Sequence, residues 1–381
     1  MTQLMMKQSQ FLTELQTKGL RLQSADQAHV SRRGGAGPSD HQAITVDGTT
    51  LMVPIYTQTA WASPFSLSDD VQNEDTQKQG ATLLSNNIPL ADVTFAKDPE
   101  FYNLTTADGI PYSHIATLHS TDVLATTVLQ TCIRYESRRK ACQFCSIGQS
   151  LRAGRTIAHK TPEQLAEVAK AAVELDGIKH IVMTTGTPAG TDRGAKVMCE
   201  SAQGIKAVVD VPIQGQCEPP KDPVWYQRMK DAGIDALGMH LEVITPELRK
   251  TITPGKSEVS LDEYYQAFED AVAVFGRGQV STYILAGLGD TEKTIIDTCQ
   301  KLIGMGVYPF VVPFVPISGT PLEDRPAPTS EFMEAVLRPL AQELVNLDMT
   351  SDKVKAGCAR CGACSSLSRF EKEAEDERQI A

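Results

Sequence analysis

The sequence predicts an α/β fold built on a parallel sheet with helical crossovers, and three observations carry that reading. From about residue 123 to residue 347, short apolar runs alternate with amphipathic stretches. Helix-start signals recur between the runs, and each pair of runs is separated by enough residues for the crossover that parallel strands require. An open doubly wound sheet and a barrel both satisfy this pattern. No Gly-x-Gly-x-x-Gly follows the first strand, which counts against a dinucleotide-binding sheet.

The elements follow in order. Residues 123–133 form the first strand candidate. Thr161-Pro162-Glu163-Gln164 opens a helix with a capping-box pair and a proline at its first position, and Gly177 ends it. Strands at 181–183, 212–217, 236–241, 280–285 and 308–313 alternate with helices at 195–208, 223–232, 260–275, 292–304 and 331–347. Ser260 and Glu263 repeat the capping-box signature.

The first hundred residues differ. A short amphipathic helix is expected over residues 3–16, with Leu4, Phe11, Leu12 and Leu15 on one side. The run from Arg32 to Pro38 breaks regular structure, and Asp47-Gly48 between residues 43–46 and 49–55 reads as a hairpin. Residues 56–110 are rich in polar and turn residues. We therefore expect a small N-terminal α+β cap region over 1–117, a core domain over 118–350, and a cysteine-containing tail over 351–381 whose charged end, 371–378, frays.

The net charge of -11 leans against a nucleic-acid partner, which usually meets a basic face. No run reaches the eighteen or so apolar residues of a membrane helix, and the N-terminus lacks an apolar signal segment. A cytoplasmic location without a membrane partner is the expectation, and there thiols stay reduced. Nine cysteines then need a reason, and six fall into two tight groups, which points to metal rather than disulfides.

The first group is Cys132, at the end of the first strand, with Cys142-Gln143-Phe144-Cys145 beyond a nine-residue loop. Three thiolates can hold a cubane cluster and leave one iron open for chemistry. The alternative is a structural zinc completed by a histidine such as His119 or His159. Location at the C-terminal end of a β/α strand favours the catalytic reading. The loop carries Arg134, Arg138, Arg139 and Lys140, which are either a solvated face, an anion site or a guide for a reductant.

This arrangement resembles the radical S-adenosylmethionine (SAM) superfamily, whose Cys-x3-Cys-x-aromatic-Cys motif follows the first strand of a partial (β/α)6 TIM-type barrel. Cys142-Gln143-Phe144-Cys145 matches the second half, and the first half departs from it by its longer loop. Further matches follow later strands: Thr184-Thr185-Gly186-Thr187, then His240-Leu241-Glu242, then Ala286-Gly287 within 284–291. The run 242–256 is similar to the biotin synthase and lipoyl synthase branch, and the whole chain to a radical SAM family encoded near nitrilase-type enzymes. The resemblance implies a [4Fe-4S] cluster on Cys132, Cys142 and Cys145. It also implies SAM contacts from Phe144, Thr185, Gly186, Thr187, Glu242, Arg249, Lys256, Ala286 and Gly287. It further implies reductive cleavage of SAM, a radical acting on a small-molecule substrate, and an electron donor such as flavodoxin or ferredoxin. Gln214, Gln216, Glu218 and His240 are further candidates to face the substrate.

Cys358, Cys361 and Cys364 form a compact Cys-x2-Cys-x2-Cys, a spacing used by ferredoxin-like sites. An auxiliary iron–sulfur cluster is the leading expectation for them, with zinc as the alternative. For the whole chain, an iron–sulfur carrier or assembly protein without SAM turnover is the competing function. The strand-end motifs favour the enzyme, because a carrier has no use for them.

Overall fold

The computed structural model describes residues 7–21, 40–55, 57–68 and 80–380. The predicted break at 32–38 and Leu4 lie outside the described residues. Strand β7 (Val123–Leu129) begins the core, followed by β8 (His180–Thr185), β9 (Ile213–Gln216), β10 (Ala236–Gly238), β11 (Val280–Ala286) and β12 (Val307–Pro313). Preceding them are β1 (His41–Val46), β2 (Thr49–Pro54), β3 (Phe65–Leu67), β4 (Gly80–Ser85), β5 (Ile88–Phe95) and β6 (Thr117–His119).

Strands β7 to β12 pair in parallel and in sequence order, and the sheet curls into a partial barrel. β6 is added antiparallel on the outer side of β7. Five crossover helices, Pro162–Asp176, Ala195–Lys206, Val224–Asp231, Leu261–Phe275 and Glu292–Gly304, join successive strands, and Ser330–Asn346 follows the last. Their apolar faces and the strands share one core that includes Leu165, Met198, Phe268, Ile303 and Leu337. All seven residues of β12 are buried, as expected for a strand covered on both faces. Local signals set the boundaries. Thr161 accepts from the Gln164 amide while the Gln164 side chain returns to Thr161, and Gly177 closes that helix in the left-handed region at φ 65°.

The N-terminal part is a five-stranded antiparallel sheet in the order β2-β1-β5-β4-β3, more regular than the turn-rich composition of 56–110 predicts. Helix Gln8–Lys18 packs Leu12 and Leu15 on it in a second, separate core with Ile44, Val53 and Leu83. The sheet meets the barrel through the chain's last segment. The Met52 amide and the Gln16 side chain both donate to the Ala363 carbonyl, at 2.7 and 3.0 Å. That end is no frayed tail. Helix Leu367–Ile380 buries Phe370, Glu371 and Ala374, because apolar residues recur at helical spacing between the charges. Glu371 accepts from the Tyr308 hydroxyl at 2.6 Å and from Ser351, fastening the helix to β12. Among the described residues no helix is long and apolar enough to cross a membrane.

Candidate functional site

The strand ends position the first cysteine group. Beyond β7 the chain turns so that Cys132, Cys142 and Cys145 border one cavity of about 220 Å³. Phe144, Thr185, Gly186, Thr187, Glu242 and Lys256 border the same cavity. The longer loop is tied down at several points. The Ile133 amide donates to the Thr187 carbonyl at 3.0 Å, Gln143 to Ile252 at 2.8 Å, and Gly255 to Lys140 at 3.0 Å. Gly186 is required by close approach, since a Cβ there overlaps the Thr131 carbonyl oxygen and meets the Cys132 Cβ.

Arg134 explains how the wide loop stays ordered. Its guanidinium makes a buried, bidentate pair with Glu218, Nε to Oε1 at 2.6 Å and Nη2 to Oε2 at 2.7 Å. It also reaches the Gly255 carbonyl and Glu258. Thr187 donates to the same Glu218 carboxylate at 2.7 Å. Burial opposes the charge on Glu218, yet the Arg134 bonds hold its carboxyl below the usual range. Arg134 is therefore not part of a solvated face, and Glu218 is engaged by it rather than turned to substrate. Arg138, Arg139 and Lys140 are exposed.

Glu242 sits in the left-handed region at φ 62°, bridged to Ile284, with its carboxylate 2.9 Å from Lys256 Nζ. Asp290 holds this segment by accepting from the amides of Ile244 and Thr245 at 2.8 and 2.9 Å. Burial opposes the Lys256 charge, but Glu242 and nearby anionic groups keep it protonated. Arg249 departs from expectation. Its guanidinium is buried under Tyr264 and donates to the carbonyls of Leu241, Val243, Lys256 and Val259. It ties the Glu242 segment to Lys256 and is not among the residues bordering the cavity. Ala286 and Gly287 do not border it either; Ala286 is core, and Gly287 (φ 99°) packs on Pro328.

A second cavity, of about 290 Å³, continues into the barrel. Phe144, Thr184, Gln216, His240 and Glu242 border both spaces. Its far end is formed by Cys358 and Cys364 of the tail, and Gln16 and His41 of the cap region reach it from the side. His240 stands at the junction. The Tyr283 amide donates to its Nδ1 at 3.2 Å, which leaves the proton on Nε2. Burial, then the Lys256 charge, pushes the imidazole down to about 3, so it is neutral. No hydrogen-bond partner among the described residues meets Nε2. No Lys or Arg borders this cavity among the described residues.

The tail cysteines are held from inside the barrel. Cys358 donates its amide to Gln214 Oε1 at 3.2 Å, and Gln216 Nε2 donates to the Cys358 sulfur at 3.2 Å. Gln214 thus supports the tail, while Gln216 also borders both cavities. Gly357 (φ 106°) allows this, since a Cβ there overlaps the Gln214 amide. His119 lies by the tail, with Nε2 3.7 Å from Cys364 Sγ, and not by Cys132, so it is no fourth ligand for the first group. His159 does not border the first cavity. Burial raises the thiols at both sites, Cys145 to about 11 and Cys361 to about 12. Metal binding has to supply what deprotonation costs in such places. All nine cysteines are free thiols, and no three His, Cys, Asp or Glu among the described residues are grouped around a single metal ion.

The chemistry of the donor set fits an iron–sulfur group at the first site. The sulfurs of Cys132, Cys142 and Cys145 border a space instead of closing on a point. The one further cysteine on that space among the described residues, Cys217, is a buried thiol pushed up to about 12, so no second cysteine pair is near to complete a zinc site. Tyr283, Gln16 and His41 had no sequence signal, because their place on the cavity depends on pairing between distant elements.

Residues 138–302 match the family model described as the radical SAM superfamily. The bacteriochlorophyllide c C-7(1)-hydroxylase of Chlorobaculum limnaeum is 25% identical over 213 residues, 51% of this chain and 53% of that one. The chain thus spans about half the length of the curated relative it matches. Among solved structures, methylornithine synthase is 18% identical over 65% of this chain and 69% of its own, with a TM-score of 0.45. A radical SAM methyltransferase from Sphaerobacter thermophilus is 16% identical over 80% of this chain and 81% of its own, with a TM-score of 0.44.

Proposed function

We propose that this chain is a radical SAM enzyme that holds a [4Fe-4S] cluster on Cys132, Cys142 and Cys145 and cleaves SAM reductively to act on a small-molecule substrate inside the barrel. The observation that carries the reading is the convergence of the three cysteines, Phe144, Thr185–Thr187, Glu242 and Lys256 on one cavity that opens into a second. When bound, the cluster and SAM supply one-electron cleavage of the sulfonium carbon–sulfur bond, giving methionine and a 5′-deoxyadenosyl radical that abstracts hydrogen from a carbon.

The chain's residues bind, orient and exclude water. Lys256 is the cation for the SAM carboxylate, a role for which Arg249 is not placed. Glu242 is the acceptor for the ribose hydroxyls, held in its strained conformation by Asp290. Phe144 walls the cluster side. The inner cavity receives the substrate. Its size lies near the low end of the ~300–1,000 Å³ typical of ligand pockets. Its lining combines apolar side chains with Gln16, Gln216 and the neutral His240 imidazole and carries no Lys or Arg among the described residues, which suits a molecule without negative charge that carries a hydrogen-bond acceptor. An external donor such as flavodoxin or ferredoxin supplies the electron. Cys358, Cys361 and Cys364 carry an auxiliary iron–sulfur cluster at the cavity's other end, favoured by their spacing and by the donors aimed at Cys358. The carrier alternative leaves the Glu242–Lys256 pair without a task.

The test is anaerobic reconstitution with iron and sulfide, reduction, and measurement of 5′-deoxyadenosine from added SAM. The product is expected from the wild type and not from Cys142→Ala. Absence of any SAM cleavage in the fully loaded wild type refutes the proposal.

A further inference from the structure

We propose that His119 is the fourth ligand of the tail centre, so that Cys358, Cys361, Cys364 and His119 together hold one iron–sulfur cluster inside the barrel. This rests on the reading that the tail cysteines carry a cluster. The three thiols sit in seven residues, and that stretch offers no other metal-binding side chain. A fourth ligand has to come from another element.

His119 ends β6, the antiparallel edge strand beside β7, and is 6% exposed. Its Nε2 lies 3.7 Å from Cys364 Sγ, and both side chains border the inner cavity. At metal–sulfur and metal–nitrogen bonds of about 2.3 and 2.0 Å, side chains this close meet at one iron of a two-iron centre with a small adjustment, and reach neighbouring irons of a cubane by rotating apart. Three hydrogen-bond donors face these sulfurs, which suits anionic sulfur. The Tyr283 hydroxyl and the Gln216 amide face the Cys358 sulfur, and the Ser120 hydroxyl faces Cys361.

The ligand loop is also fixed before any metal arrives. Besides the Gln214 contact, the Gly357 amide donates to His180 Nδ1 at 3.2 Å, and Ser365 Oγ to the Val311 carbonyl at 2.7 Å. Gly362, left-handed at φ 69°, turns the chain between the second and third cysteines. Cys361 borders an outer polar pocket with Arg360, Arg369 and Lys372, whereas Cys358 and Cys364 border the inner cavity. The centre therefore separates solvent from the substrate space, with His119 on the substrate side. A neutral imidazole in place of a thiolate raises the reduction potential of an iron–sulfur centre, so the assignment has a redox signature.

The experiment uses the full chain, reconstituted anaerobically and kept free of SAM, so that any nitrogen bound to iron comes from the protein. Iron per chain is read first in wild type and Cys361→Ala. A fall of roughly one third to one half, for a two-iron or a four-iron tail centre, establishes the tail cluster, and no fall overturns the tail-cluster reading and this proposal with it. Pulsed EPR of the reduced wild type, prepared with natural and ¹⁵N-labelled histidine, then reads the ligand. A nitrogen coupling that changes with the label and vanishes in His119→Ala is expected. His119→Cys is expected to keep its iron and to shift the tail centre to lower potential. A tail cluster without nitrogen coupling, or with a potential unchanged in His119→Cys, overturns the assignment of His119 while leaving the cluster itself in place.

Discussion

Replacing Glu218 by Ala should loosen the loop that separates Cys132 from Cys142 and leave the barrel standing. The Arg134 and Glu218 side chains are only 8% and 3% exposed, so neither solvent nor salt screens the pair effectively. Removing one partner of a buried pair costs about 3–5 kcal/mol, mainly because the other charge is stranded. Arg134 keeps the Gly255 carbonyl and Glu258, the latter 52% exposed, which places the cost near the lower bound. A local cost of about 3 kcal/mol corresponds to somewhat more than a hundredfold faster amide exchange over the loop. Hydrogen exchange read by mass spectrometry over residues 133–141 measures this directly. Glu218→Gln, which retains an acceptor for Thr187 and Arg134, should show a smaller increase. Less than a tenfold change in Glu218→Ala, together with normal iron loading, refutes the view that this pair holds the wide loop.

Other consequences follow from single contacts. Gly186→Ala should push the Cys132 backbone away and lower iron per chain at the first site, since its Cβ overlaps the Thr131 carbonyl; iron content equal to wild type contradicts this. Lys256→Met should weaken SAM binding by roughly 10–100-fold, the worth of a charge-assisted hydrogen bond. Equilibrium dialysis against the loaded protein checks it, and unchanged affinity removes Lys256 from the SAM site. Burial pushes the Glu371 carboxyl up to about 7, against the bonds from Ser351 and Tyr308, while the unfolded chain titrates near 4.5. The folded state thus favours the proton: this contribution is fully present below about pH 4.5 and is lost as pH rises through 7, by about 3 kcal/mol at most. Glu371→Gln should flatten that part of the dependence of melting temperature between pH 5 and 8, and a profile parallel to wild type counts against it.

Much of the barrel was legible because its signals are local. The Thr161–Gln164 cap, Pro162 and Gly177 bound a helix of fifteen residues, and the run Val307–Pro313 is apolar throughout. The cysteine groups and Glu242 stood out by spacing and by position after a strand. The N-terminal sheet was only half read. β4 and β5 turn through Asn86 and Asn87, both left-handed, and β5 is largely exposed, so little apolar alternation marks them. Arg249 and Arg134 illustrate a different limit. A charge on a loop or helix looks alike in sequence whether solvated or buried. Only the fold brings the carbonyls of Leu241, Val243 and Val259 to one guanidinium, and Glu218 to the other. His119 and Cys364 lie 245 positions apart, and no sequence pattern links them.

The most direct measurement of the central claim is the EPR spectrum of the reduced first cluster before and after SAM is added. Cys361→Ala protein, without the tail centre, keeps the signal simple. If Cys132, Cys142 and Cys145 leave one iron open beside Lys256 and Glu242, SAM must change the spectrum, and Cys142→Ala must abolish that signal. A reduced cluster whose spectrum is indifferent to saturating SAM contradicts the account.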